Sequence, residues 1–210
     1  MRRLAVLGAS GHGKVIADAA ECCGWAEVVF FDDAWPERTA NGGWEVIGGT
    51  DDLLARLGDF DGVVVGIGNN AVRQAKLKLL LGAGGAVVSV IHPAAVVSRY
   101  ARIGLGSVVF AGAVVNVGAM IGVGAILNTG CSIDHDCELG EAVHVSPGAC
   151  LAGGVTVGDL SWIGIGASVR QAIQIGAGVT VGAGAAVVAD VPDAVTVTGV
   201  PARIRTDSTL

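Results

Sequence analysis

Residues 121–151 read IGVGAILNTGCSIDHDCELGEAVHVSPGACL. Every sixth residue in this stretch is Ile, Leu or Val: Ile121, Leu127, Ile133, Leu139, Val145 and Leu151. The same step runs back through Val115, Val109, Ile103, Val97 and Ile91, and forward through Val157, Ile163, Val169, Ile175, Val181 and Val187. Four residues after each aliphatic the side chain is usually small, as at Ala95, Ala101, Ser107, Ala113, Ala119, Ala125, Cys131 and Cys137. A period of six draws no stripe on a helix of 3.6 residues per turn. It suits a coil of three short strands and three tight turns, closing every eighteen residues. The aliphatic side chain points into a triangular prism and the small one fits near a corner. Glycine often follows the aliphatic directly, as in IGLG, IGVG and VGAG, where it relieves the turn. Successive circuits hydrogen-bond at about 4.8 Å, and five to six of them bury a continuous core.

Composition agrees with a core of small aliphatics. Of 210 residues, 52% are hydrophobic, only 4% are aromatic and 34 are glycine. A net charge of −6 argues against nucleic-acid or anionic-membrane partners, which need clustered Lys and Arg. No apolar run is long enough to predict a transmembrane helix. MRRLAVLGASGHG has a basic start but lacks a cleavage pattern, so it reads as a buried first strand and not as a signal peptide. The cysteines are Cys22, Cys23, Cys131, Cys137 and Cys150. An odd number with a vicinal pair does not suggest a disulfide framework, and the lack of CxxC argues against zinc. Reduced thiols in a cytoplasm are expected, with Cys137 as a small core residue. No metal constellation is seen, because His12, His92, His135 and His144 are scattered.

Residues 1–90 follow a different pattern. LAVLGA, EVVFFDD, WEVIGG and GVVVGIGNN read as strands; KVIADAAECCG, DDLLARLG and AVRQAKLKLLLG read as helices. This alternation implies a small Rossmann-like parallel sheet with helices on its faces. GASGHG, residues 8–13, follows the first strand and opens a helix, where glycines let backbone N–H groups approach a phosphate. Its spacing is GxxGxG and not the dinucleotide GxGxxG, so a redox cofactor is not the first choice. A tight strand-to-helix turn alone is the plainer alternative. Asp32 and Asp33 end the second strand, where a carboxylate can accept hydrogen bonds from ribose hydroxyls or a base N–H.

The unbroken hexad repeat resembles the left-handed parallel β-helix of hexapeptide-repeat acyltransferases. GASGHG, FDD, GIGNN, IHP, NTGCSIDHDCELGEAVHVSPGACLAGG and a terminal GVPAR narrow the resemblance to the bacterial nucleotide-amino-sugar N-acetyltransferases. Relatives that O-acetylate sialic acid share the plan. The fold class expected is therefore α/β plus all-β: a Rossmann-like nucleotide-sugar-binding domain at 1–90, then a left-handed β-helix with a C-terminal tail at 91–210. The resemblance implies acetyl-CoA as co-substrate, a nucleotide-linked amino sugar as acceptor, and a homotrimer with acetyl-CoA between neighbours. It puts Ser10, Gly11 and His12 near phosphates, Asp32 and Asp33 near the nucleoside, and Gly68 and Asn69 along the pocket wall.

His135 is flanked by Asp134 and Asp136, and an adjacent carboxylate can orient an imidazole and stabilise its protonated form. Gly153 lies eighteen residues on, so its N–H falls about one strand spacing from the ring. The family's general base matches His135, its acidic neighbour matches Asp136, and the Gly153 N–H would meet a developing oxyanion. Asp134 is expected to be solvated. His144 is half a circuit away and cannot meet His135 within one chain. Either it holds acetyl-CoA near His135 of a neighbouring subunit, or it stacks on Trp162 as surface packing. Asn128 either contacts the sugar or ladders along the turns. Ile165 and Ala183 match positions along the pantetheine arm, and equally suit a prism wall. Three functions compete: N-acetylation of a nucleotide-linked 4-amino-4,6-dideoxy sugar for surface glycans, O-acetylation of a sialic-type acid, and a non-catalytic sugar-binding scaffold.

Overall fold

A computed structural model describes residues 2–205; the predicted C-terminal tail beyond 205 lies outside the described residues. The chain forms two compact units, one of residues up to 93 with 105–108, the other of 94–104 with 109 onward.

The first unit is built on a parallel sheet of β1 (Arg3–Leu7), β2 (Glu27–Phe31) and β5 (Gly62–Val65), in the order β2-β1-β5. Its strands are almost wholly buried, with Leu4, Ala5, Val6, Phe30, Phe31, Val63 and Val64 at 0% exposure. A parallel sheet covered on both faces requires such continuous apolar runs. The helices are α1 (Gly11–Cys22), α2 (Thr50–Ala55) and α3 (Asn70–Gly82). Helix α1 starts inside GASGHG, three residues earlier than the apolar pattern suggested. The reason is Gly13: a Cβ there would collide with the carbonyl of Gly8, so only glycine lets the helix begin against the end of β1. A short antiparallel hairpin, β3 (Ala40–Asn41) with β4 (Trp44–Glu45), was not foreseen. Its turn signal is the Asn41-Gly42-Gly43 run.

The second unit is a solenoid of two-residue strands. Each pairs in parallel with the strand eighteen residues away, for example Val115 with Ile133, Ile133 with Leu151, and Leu151 with Val169. The strands stack into three faces, and the hexad aliphatics from Val97 to Val187 point inward; Ile91, the first of the series, is exposed and belongs to the first unit. Val109, Leu127, Ile133, Val145 and Ile163 are fully buried, together with the small corner residues Ala113, Ala125, Cys131, Cys137 and Ala149. Burying such an aliphatic is worth about 1.5–3 kcal/mol, and the core repeats it on every strand.

Glycine serves this coil in two ways, and the one directly after the aliphatic does not relieve the turn as the hexad pattern suggested. The glycine directly after the aliphatic is there for close approach. A Cβ on Gly104, Gly122, Gly158 or Gly164 would strike backbone of the next coil. The left-handed residue comes two positions later and recurs every six residues, at Gly106, Gly112, Gly118, Gly124 and Gly130. The next in that series is Asp136, with φ 58°. The solenoid thus places a non-glycine residue in a strained conformation beside His135.

Candidate active site

His135 occupies the turn between the face carrying Ser132–Ile133 and the face carrying Glu138–Leu139. Its backbone is fixed on both sides. The N–H donates to Asp134 Oδ1 at 2.8 Å, and the carbonyl accepts from Gly154 N, one coil on, at 2.9 Å. Asp134, expected to be solvated, is instead held by Asn116 Nδ2 at 3.0 Å from the preceding coil. Asn116 lies eighteen residues before Asp134, so the repeat could have revealed the pair.

The imidazole itself is exposed. Nδ1 lies 2.9 Å from Asp136 Oδ2. An ionised carboxylate accepts, so the ring's Nδ1 carries the hydrogen and Nε2 presents its lone pair. The hydrogen bond that His135 donates to Asp136, aided by the charge of Asp134, pushes the His135 pKa above its ordinary value. The ring stands over Gly153: a Cβ built there would collide with Nε2 and Cε1. Gly153 is thus the one residue type that leaves room for the ring, and its peptide lies beside the basic nitrogen. His135, Asp136 and Gly153 come together as a unit. The left-handed backbone of Asp136, its N–H bonded to Val117 O at 3.1 Å, turns the carboxylate back onto the ring.

His144 lies on the third face, across the prism from the corner that holds His135. It stacks on Trp162, one rung on, with ring centroids 5.4 Å apart and planes 5° from parallel. Asn128 Nδ2 reaches His144 Nε2, one coil on, at 3.2 Å. His144 and Trp162 border a cavity of about 410 Å³ that also takes in Ile165 and Ala183. The stacking reading of His144 is thus met, and the same ring also borders an apolar pocket.

In the first unit, Ser10 is the N-cap of α1, its side chain making no capping bond; Gly11 and His12 form the first turn. Open space surrounds Gly11. Asp32 is committed to holding this turn: Oδ2 accepts from Ala9 N at 2.6 Å and Oδ1 from Ala34 N at 3.0 Å. Asp33 is different. It accepts from Thr50 N and from Lys76 Nζ, each at 2.8 Å, yet stays largely exposed. The hydrogen bonds from Lys76 and Thr50 bring its pKa down to about 2, so it is a carboxylate at any physiological pH. Lys76 and Thr50, missed by the sequence reading, line a cavity of about 460 Å³ with Asp33 and Trp35. Asn69 caps α3 by accepting from Val72 N at 3.0 Å. The Gly68 carbonyl accepts from Arg73, a guanidinium only 1% exposed, at 2.9 Å. The loop with Gly68 packs on the glycine turn, since a Cβ at Gly8 would press on Ile67. Among the described residues no group of His, Cys, Asp and Glu could hold a metal ion, and no helix is long and apolar enough to cross a membrane.

Known proteins resemble this chain in sequence and fold. A family model described as the PglD N-terminal domain matches residues 3–80. GDP-perosamine N-acetyltransferase of Escherichia coli O157:H7 is 31% identical over 189 residues, covering 87% of this chain and 84% of that protein. UDP-N-acetylbacillosamine N-acetyltransferase of Bacillus subtilis (strain 168) is 40% identical over 116 residues, 53% of this chain and about half, 52%, of the relative's own length. Among solved structures, the acetyltransferase domain of PglB from Neisseria gonorrhoeae, in complex with acetyl coenzyme A, superposes with a TM-score of 0.93 at 44% identity, covering 97% of this chain and 99% of that one. PerB from Caulobacter crescentus, in complex with CoA and GDP-perosamine, gives 0.92 at 40% identity, covering 98% of each chain. Likeness of this extent leaves one conclusion: the chain belongs to the acetyl-CoA-dependent nucleotide-amino-sugar N-acetyltransferases, with their Rossmann-like front domain and left-handed β-helix.

Proposed function

We propose that this chain transfers the acetyl group of acetyl-CoA to the amine of a nucleotide-linked amino sugar, a 4-amino-4,6-dideoxy sugar made for surface glycans, with His135 as general base. The observation that carries this reading is the His135 ring, tied to Asp136 and standing over Gly153. The amine nitrogen attacks the thioester carbonyl carbon while His135 Nε2 removes its proton. Charge grows on the carbonyl oxygen, where the Gly153 N–H is the stabilising donor. The C–S bond then breaks, and the imidazolium returns its proton to sulfur to give free CoA thiol. Asp136 supports the imidazolium that exists between these steps.

The acceptor's nucleotide goes to the first unit. Its diphosphate lies at the open N-terminus of α1, at Ser10, Gly11 and His12, where helix N–H groups favour an anion. Asp33 takes the nucleoside, and Asp32 serves by holding the glycine turn. Gly68 and Asn69 form the facing wall. The acetyl-CoA arm runs in the pocket of His144, Ile165 and Ala183. That pocket and His135 belong to different sides of one solenoid, so the complete centre takes His135 from one chain and His144 from another. A homotrimer, in which every chain gives both edges, meets that need. The free thiols suit a cytoplasmic setting.

Release of CoA thiol, followed with acetyl-CoA and a panel of UDP-, GDP- and dTDP-linked amino sugars, tests the proposal. Steady thiol release with at least one amino sugar is expected, and none with its 4-hydroxy counterpart. Silence with all of them would favour a binding scaffold, and turnover of only the hydroxy sugars would favour O-acetylation.

A further inference from the structure

We propose that Trp162 is the positioning residue of the acyl-donor pocket: one face of its indole holds the His144 ring flat, and the other is the platform on which the thin arm of the acyl donor lies. This rests on reading the pocket beside His144 as the acetyl-CoA site. Three observations converge on the indole. It lies parallel to the His144 ring, one rung away, at 5.4 Å between centroids. Its Nε1 donates to Ser146 Oγ at 2.7 Å, which fixes the edge as well as the plane. It is nonetheless 49% exposed, although a large aromatic pinned at two points would ordinarily be covered.

The exposed side is explained by the next rung. The partner of Trp162 there is Thr180, too small to cover an indole. Gly164, Gly182 and Ala183 keep the floor of the cavity low beside it. The result is an apolar shelf backed by an aromatic face, next to the one imidazole that Asn128 orients. Planar amide groups on a flexible arm lie well against such a face, and the indole is already ordered before the ligand arrives. Trp162 therefore does two things through one ring: it sets where His144 points, and it sets where the arm runs relative to it.

The test compares Trp162→Ala and Trp162→Phe with wild type, after unfolding temperature and assembly size have been checked. In Trp162→Ala, KM for acetyl-CoA should rise about tenfold or more while KM for the nucleotide sugar stays within about twofold, a split that misfolding would not produce. Phenylalanine keeps a stacked ring, so Trp162→Phe should recover most of that loss. Titration with CoA should change the tryptophan fluorescence of wild type, and that change should vanish in Trp162→Phe although CoA still binds by calorimetry. An unchanged acetyl-CoA KM in Trp162→Ala, or a fluorescence change that survives in Trp162→Phe, overturns the proposal. His144→Ala separates the two readings. If it raises acetyl-CoA KM where Trp162→Ala does not, the platform fails and the pocket stands; if neither variant does, the pocket reading fails as well.

Discussion

Gly153 shows how a missing side chain can make a site. Its φ lies outside the left-handed region, so alanine would be tolerated by the backbone there. The Cβ would nevertheless collide with Nε2 of His135 and push the ring off the peptide. Gly153→Ala should therefore keep its melting temperature within a few degrees and lose about 10²-fold in kcat, as misplaced catalytic groups do; a stable variant with full kcat would remove Gly153 from the centre. His135→Ala should lose about 10²–10⁴-fold in kcat with acetyl-CoA KM little changed, since general-base catalysis contributes that much. The two-part logic was legible from sequence, because eighteen-residue stacking and an H-D pair are both visible there. Asn116 on Asp134 was legible in principle by the same count. The partnership of Asp33 with Lys76 was not, because it joins residues 43 apart through the packing of α3 and not through any repeat.

At the scale of the element, the two kinds of glycine predict opposite failures. Gly122→Ala drives a Cβ into backbone of the next coil and should destabilise strongly. Gly130 has open space around it, so Gly130→Ala should cost only the left-handed backbone, about 1–2 kcal/mol. Thermal unfolding of the pair ranks them, and equal effects would contradict the distinction. Asp136 sits at the left-handed position of its own turn, which makes Asp136→Gly a variant that should unfold at higher temperature while losing activity. The aliphatic period showed where turns fall, but it could not separate a glycine needed for φ from one needed for space. That difference appears only when one coil is laid on the next. In the front unit, Asp33 supplies a pH signature. Its carboxyl pKa is lowered to about 2, so its stabilisation is fully present above its unfolded value and is lost as pH falls from about 4 toward 2. Lys76→Met should therefore lower the melting temperature at neutral pH, and the gap to wild type should narrow across that acidic window.

The whole molecule follows from a pattern simple enough to read by eye: seventeen aliphatics in register specify a prism, and the prism separates His135 from His144. The strand-and-helix order of the front unit was equally readable, because buried parallel strands are continuous apolar runs. The proposed assembly rests on that separation. Mixing His135→Ala chains with His144→Ala chains, each impaired alone at low acetyl-CoA, should restore part of the activity through centres that draw one intact edge from each; no recovery would argue that each chain works by itself. The most direct measurement of the account is the pH dependence of kcat for thiol release in wild type and in Asp136→Asn. The base acts only when deprotonated, and Asp136 and Asp134 raise its pKa, so the wild-type rate should climb to a plateau with a midpoint above the ordinary histidine value of about 6.5. In Asp136→Asn the midpoint should move to lower pH and the plateau should fall. A rate in wild type that ignores pH across this range, or a midpoint that Asp136→Asn leaves in place, would contradict the assignment of His135 as the base.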